Sequence, residues 1–162
     1  WQTRRVYRIR RRIGGVVVKF TIPIEPKPQK RPRFSRWSGA YEDKDMMAWR
    51  KQVTDYVKNN YEGPYFDDGL KVDVTFYLKA PELVSKKPSE RARDKTKQKY
   101  QDYINELLYV PKKPDLDNLE KAVYDSISKS EVVWTDDNII VEHTTRKLYS
   151  PNPRIEVKIN EL

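Results

Sequence analysis

Cysteine is absent from this 162-residue chain, and histidine occurs only once, at His143. The lack of cysteine excludes disulfide bridges, thiolate nucleophiles and cysteine-bound zinc. With one histidine, any metal ion must be held mainly by carboxylates, carbonyl oxygens and water. No apolar run approaches the length of a membrane span, and residues 16–18 are too few for the core of a signal peptide. These absences predict a cytoplasmic protein that does not enter a membrane.

Positive charge is in excess, because 33 Lys and Arg stand against 24 Asp and Glu and give a formal net charge of +9. An excess of this size is typical of proteins that meet an acidic partner, most often nucleic acid. Six arginines fall in the first fifteen residues, which we interpret as a basic N-terminal arm to which we assign no function. The remainder, residues 16–162, is long enough to bury one core and is expected to form one domain.

Apolar and polar residues alternate over residues 16–24, 70–79, 138–149 and 154–162, which predicts strands. A 3.6-residue period predicts helices at residues 42–61 and from Leu116 onwards. Strands with one apolar face fit a sheet that helices cover on one side. We therefore expect a single α+β domain with a mixed or antiparallel sheet of about four strands. Residues 81–109 form a polar excursion, either an exposed helix with Ser89 as a plausible cap or a mobile segment, whose charges are more often simply solvated.

A proline-stiffened basic loop follows the first strand, over residues 25–34. Its cations are too dense to pair with local acids, and Phe34 and Trp37 are interleaved with them. Cations that reach phosphates beside aromatics that stack on bases are typical of a nucleic-acid surface, whereas the plain alternative is a solvated loop. The candidate DNA-binding residues are Lys27, Lys30, Arg31, Arg33, Arg36, Lys112 and Lys113.

The sequence KPDLDNLEK at residues 113–121 places acids at the mouth of a helix and a lysine one turn further in. Asp115 suits the N-cap position. Asp117, Lys121 and Asp125 follow at four-residue steps on a face of the helix opposite its apolar stripe. One interpretation is purely structural: Asp115 caps the helix and Lys121 pairs with Asp117.

A second acidic pair, Asp136-Asp137, follows this helix and a short apolar run. A turn and a strand after the helix can return these acids to the helix start. Three or four carboxylates around one point repel each other unless a cation lies among them, and oxygen ligands of this kind suit Mg²⁺ or Mn²⁺. The two acidic groups together therefore favour a metal site over simple capping.

The run KPDLDNLEKA at residues 113–122, the later acidic pair and KRPR at residues 30–33 together resemble the RusA family of phage-derived Holliday-junction resolvases. The resemblance extends from about residue 16 to the C terminus. It implies a homodimeric endonuclease that depends on Mg²⁺, with Mn²⁺ as a substitute, and that nicks two strands of a four-way junction symmetrically. The residues implied are the metal-binding acids Asp115, Asp117 and Asp137, the catalytic lysine Lys121, and Asp136 as a further candidate ligand.

Other interpretations stay open. A non-catalytic DNA-binding protein would use these acids only to cap a helix and balance lysines. A nuclease for flaps or replication forks would carry the same residues as a junction resolvase. Within the enzyme interpretation, Lys121 either binds the phosphate or orients the attacking water, and one or two metal ions serve.

Overall fold

The computed structural model describes residues 15–30, 33–37, 39–41 and 43–162. Apart from Gly15, the predicted N-terminal arm therefore lies outside the described residues, as does the candidate DNA-binding residue Arg31. The elements are β1 Val17–Ile22, β2 Arg33–Ser35, β3 Gly39–Tyr41, α1 Lys44–Asn60, β4 Leu70–Leu78, α2 Glu82–Ser85, α3 Asp94–Ile104, α4 Leu116–Ser130, a 3-10 turn at Asp137–Ile139, β5 Ile140–Tyr149 and β6 Arg154–Glu161.

Four strands form one mixed sheet in the order β1-β6-β4-β5. β6 is antiparallel to both of its neighbours, whereas β4 and β5 run parallel. A parallel pair requires a crossover connection, and the chain supplies it with α2, α3 and α4. The predicted α+β domain with about four strands is confirmed. β2 and β3 form a separate hairpin of three-residue strands, too short for their alternation to be visible in the sequence.

One face of the sheet is covered by α1 and α4, which also pack against each other. The alternation of β4 predicts five inward-facing residues, of which Leu70, Val72, Val74 and Phe76 are fully buried and Leu78 is 7% exposed. Between Leu70 and Lys71 the pairing with β5 shifts by one residue. This shift decides which side chains of β5 face α4, since successive residues of a strand point to opposite faces.

Trp134 fixes the path of the chain as it leaves α4. Its indole ring is fully buried, packs edge-on against Tyr124 with ring centroids 5.9 Å apart, and donates from Nε1 to Ser128 Oγ at 2.8 Å. Phe66 and Thr135 add backbone hydrogen bonds between this segment and the chain before β4. The acidic pair, which starts two residues after Trp134, is therefore held close to the helix that precedes it.

The polar excursion is an ordered structure whose main element, α3, is an exposed helix. The expected start near Ser89 is wrong, because α3 begins at Asp94 with Arg93 at its N-cap and no side-chain cap bond. A second, small core at the ends of β4 and β5 holds the excursion through Tyr103, and its buried residues are Leu78, Ala80, Tyr103, Val110 and Tyr149. None of the helices within the described ranges has both the length and the apolar character of a membrane span.

Candidate active site

The first two acids of the motif lie at the start of α4. Asp115 occupies the N-cap position, but its side chain accepts no capping hydrogen bond, and its backbone carbonyl instead receives the N–H of Leu119. The predicted N-cap position is confirmed, whereas the side-chain hydrogen bond expected of a cap is absent from the described residues. Asp117 Oδ1 accepts the N–H of Asn118 at 2.9 Å, and in the part of the chain that the structure describes no salt bridge joins it to Lys121. The purely structural interpretation requires a cap bond from the Asp115 side chain and an ion pair between Asp117 and Lys121, and both are absent from the described residues.

Asp137 lies beside the middle of α4. Its backbone N–H donates to Asp136 Oδ1 at 2.8 Å, and this bond starts the 3-10 turn. The pKa of Asp137 is raised, first by partial burial and then by the hydrogen bond and negative charge of Asp136, with a smaller contribution from Asp125, whereas Lys121 lowers it. These causes put Asp137 within electrostatic range of two members of the acid row, by which we mean Asp117, Lys121 and Asp125.

The distances along α4 set the extent of this site. Asp117 precedes Lys121 by four residues, which is about 6 Å along the helix axis. Asp115 lies about 3 Å further toward the N terminus by the same measure. Within the described ranges, no three acidic or histidine side chains are placed to hold one metal ion. The candidate ligands Asp115, Asp117, Asp136 and Asp137 therefore lie on or beside α4 without meeting at one point.

Glu120, which the sequence did not single out, faces β5 from the flank of the acid row. Its side chain is only 12% exposed, Oε2 lies 2.7 Å from His143 Nδ1, and Oε1 accepts the Thr145 hydroxyl at 2.9 Å. The contact gives His143 a structural partner. The alternation of β5 puts His143 and Thr145 on one face, but only the pairing with β4 reveals that this face meets α4.

Lys147 continues the same face of β5. Its ammonium group donates to the carbonyl of Pro114 at 2.7 Å and to that of Lys112. We refer to His143, Thr145 and Lys147, with the groups they bind, as the polar seam. Since β5 follows directly from Asp137 and α4 begins directly after Asp115, the polar seam fixes the two acidic groups relative to each other.

A hollow of about 240 Å³ opens at the Asp137 end of the polar seam, and its lining includes Glu120, Tyr124 and His143. Tyr124 is 8% exposed, and its buried hydroxyl has no hydrogen-bond partner among the described residues. Burial, reinforced by the charges of Glu120 and Asp137, raises its pKa. An unpaired buried hydroxyl costs about 1–3 kcal/mol. A larger hollow of about 370 Å³ on the other face of the sheet, lined by Asp73, Thr75 and Glu156 among others, is remote from this chemistry.

The basic loop lies against the start of α4. The N–H of Gln29 donates to the carbonyl of Asn118 at 3.0 Å, and the indole of Trp49 donates to the carbonyl of Glu25 at 2.8 Å. Both ends of the segment 25–29 are thus anchored, one on α4 and one on α1. The basic loop and the start of the acidic motif, which are far apart in the sequence, are thus brought together.

The candidate DNA-binding side chains differ in their surroundings. Lys27 is half-buried and Arg36 is exposed, and Lys30 makes an exposed salt bridge of 3.2 Å to Asp43. Beside them, Phe34 and Trp37 are 82% and 95% exposed. Arg33 lies in β2, and its side chain is outside the described part. Lys112 and Lys113 are exposed and immediately precede the motif.

The exposed side of α4 carries carboxylates and a lysine, and it lies beside a basic loop with exposed aromatics. This combination is typical of proteins that act on the nucleic-acid backbone. The family model for Endodeoxyribonuclease RusA matches residues 23–160. The chain is 32% identical over 150 residues to the uncharacterized protein YqaN of Bacillus subtilis (strain 168), which covers 90% of this chain and 96% of that protein. The chain belongs to the RusA family of endodeoxyribonucleases. Membership implies an endonuclease that acts on branched DNA and resolves Holliday junctions.

Proposed function

We propose that this chain cleaves four-way DNA junctions in a reaction that depends on a divalent metal ion, by paired and symmetric nicks. The observation that carries the proposal is the position of Asp137, which contacts Asp136 and lies within electrostatic range of Lys121 and Asp125, beside the helix that also carries Asp117. Residues that are far apart in the sequence thus supply acids and a cation to one surface, next to the basic loop.

The chemistry of the donor set supports a divalent cation, because all four candidate ligands are carboxylates. Asp136 and Asp137 touch each other, and a cation between them would relieve the repulsion that helps to raise the pKa of Asp137. Asp115 and Asp117 are exposed and would have to approach this pair to bind the same ion, because no three acidic side chains of the described residues are placed to hold one metal ion. When bound, Mg²⁺ or Mn²⁺ supplies an activated water and neutralises charge on the phosphate.

The protein's own cations position the DNA. Lys121 is exposed and has no salt-bridge partner in the described part of the chain, so its ammonium group is available to a non-bridging oxygen of the scissile phosphate. The basic loop holds the flanking phosphates. Phe34 and Trp37 offer flat, exposed faces to bases that are unstacked at the branch point.

A homodimer is part of the proposal. A four-way junction has approximate two-fold symmetry, and a pair of symmetric incisions is simplest with two identical sites related by a two-fold axis. Sedimentation with and without junction DNA measures the oligomeric state. A monomer under both conditions would contradict this part of the proposal.

Substitution of Asp117 by Asn tests the enzyme assignment. The amide has nearly the same shape but no charge, so we expect junction binding to persist and nicking to be abolished. Asp55→Asn, on the exposed face of α1, is the matched control and should nick at the wild-type rate. Full nicking by Asp117→Asn in the presence of Mg²⁺ would refute the assignment.

Two further measurements separate the alternatives. A metal-dependent nuclease should gain thermal stability with Mg²⁺ or Mn²⁺, by about 2.7 kcal/mol at a concentration of 100 Kd, whereas a simple DNA-binding protein should not. A panel of four-way junctions, flaps and forks, assayed for nicking, measures substrate preference. Faster nicking of flaps or forks would move the assignment away from junction resolution.

A further inference from the structure

We propose that the excursion between β4 and α4 carries a second DNA-binding surface, which grips a duplex arm of the junction away from the cut. This surface is the α3 tip, defined as residues 86–99, and it is separate from the basic loop. The inference rests on the proposed function in one respect, namely that the substrate is branched DNA. Its occupant is the phosphate backbone of a duplex.

The charge of the α3 tip is concentrated and unbalanced. It holds seven cations and two acids within fourteen residues. All seven cations are exposed, and none forms a salt bridge within the described ranges. The nearest approach to a partner is Lys97, whose ammonium group donates to the carbonyl of Glu90 at 2.6 Å. The cations are Lys86, Lys87, Arg91, Arg93, Lys95, Lys97 and Lys99.

This pattern differs from that of an ordinary solvated helix face. Lys95 and Lys99 are four residues apart on α3, where like charges destabilise a helix by about 0.2–0.5 kcal/mol. The exposed face of α1 shows the usual solution, because Lys51 pairs with Asp55 four residues later at 2.8 Å. A helix that carries an uncompensated repulsion fits a surface whose counter-charge comes from a partner.

The opposite end of the excursion is fixed to the body of the protein. Tyr103 is 6% exposed and packs in the small core with Tyr149 of β5. Arg154 of β6 donates to Glu106 at 2.6 Å. Through Val110, whose N–H donates to the carbonyl of Lys147 at 3.1 Å, this base adjoins the polar seam. Because this base is anchored, a phosphate bound at the α3 tip would be held at a fixed position relative to the candidate active site.

The length of α3 sets where the contact falls. Its 11 residues span about 16 Å, and α3 packs on α2 and reaches the small core through Tyr103 near its C-terminal end. Successive nucleotides of one strand are about 3.4 Å apart along the axis of a duplex. The α3 tip would therefore contact a duplex roughly four to five base pairs from the base of the excursion, outside the branch point itself.

The test compares two double variants of the full chain that remove the same charge. Lys95→Gln with Lys99→Gln changes the α3 tip, and Lys51→Gln with Lys58→Gln changes the exposed face of α1. The probes are immobile four-way junctions with duplex arms of about 15 or about 4 base pairs. We expect the tip variant to bind long-armed junctions about 5–10-fold more weakly, with a salt slope smaller by about one to two. On short-armed junctions, the tip variant should equal the wild type, and the α1 variant should match the wild type on both.

Equal affinity of the tip variant and the wild type for long-armed junctions would overturn the proposal, and so would equal weakening on both arm lengths. Arg91→Gln with Arg93→Gln repeats the test outside the helix, so that a loss of helicity is not mistaken for a loss of contact. The same variants on linear duplexes separate this inference from the proposed function. A tip effect on duplexes without preference for four-way junctions would overturn the proposed substrate and support the α3 tip as a duplex-binding surface.

Discussion

The substitution Lys147→Met removes the ammonium group of the polar seam and leaves an unbranched side chain of similar length. In the native protein this group holds two carbonyls, those of Pro114 and Lys112, in the last residues before Asp115. A hydrogen bond from a charged donor contributes about 1.5–3 kcal/mol. The bond to Lys112 is exposed, so water replaces it at little cost, and the partly buried bond to Pro114 dominates. We therefore expect the substitution to remove about 2 kcal/mol of the free energy that holds the start of the motif in place.

A loss of this size corresponds to about 30-fold in rate if it falls entirely on the activated complex. The assay is nicking of a four-way junction under single-turnover conditions with Mg²⁺, together with junction affinity in the absence of metal. We expect nicking to fall by about 10–30-fold and affinity to change by less than about two-fold, because the Lys147 ammonium is occupied by carbonyls rather than by DNA. Its control is Lys158→Met on the opposite face of the sheet, which should nick normally.

Two results would refute this reasoning. The first is wild-type nicking by Lys147→Met, since the polar seam would then not position the motif. The second is a parallel loss of nicking and of affinity, since Lys147 would then contact the DNA itself. Lys147→Arg keeps a donor that can reach a carbonyl, so this variant should recover part of the rate.

Two other substitutions test the electrostatics of the fold. Asp137→Asn removes one of two touching carboxylates, so we expect a higher melting temperature in the presence of EDTA and no nicking in the presence of Mg²⁺; a lower melting temperature would argue against repulsion at this pair. The pKa of Glu106 is lowered, chiefly by the hydrogen bond from Arg154, so its contribution to stability is present above the unfolded value of 4.5 and lost as the pH falls through the folded value. Glu106→Gln should lower the free energy of unfolding by about 1–2 kcal/mol at neutral pH and flatten its decline below pH 4.5 in urea titrations, whereas an unchanged acid limb would refute the coupling.

The sequence was most informative where side-chain period and burial coincide. β4 alternates without exception from Leu70 to Phe76, and the structure buries that face completely. The apolar stripe of α4 was visible for the same reason, because Leu119, Val123 and Ile127 recur at helical spacing and all lie in the core. The first and last residues of the helices and strands were harder to predict from the sequence. The strand expected from residue 138 starts at Ile140, because Asp136 caps a short turn first.

The residues that support the candidate active site left a weaker signal. Glu120 lies within the motif, yet nothing in its spacing marks it as the partner of His143 and Thr145. Those contacts depend on the parallel pairing of β4 with β5 and on the shift between Leu70 and Lys71, which are tertiary properties. Alternation in a strand predicts that the face toward a helix is apolar, but β5 presents His143, Thr145 and Lys147 to α4. The supporting role of β5 can therefore be recognised only when its partner helix is known.

The polarity of this contact has a consequence for the enzyme. Apolar packing is roughly proportional to area and tolerates small displacements of a helix on a sheet, whereas hydrogen bonds lose strength within a few tenths of an ångström or a few tens of degrees. Glu120 and the carbonyl of Pro114 are separated by about two turns of backbone, and β5 binds both. A displacement of α4 along β5 would therefore break directional contacts at two points at once. Since Asp115 is the N-cap of α4 and Asp137 leads into β5, the same contacts that resist this displacement hold the two acidic groups at a fixed position relative to each other.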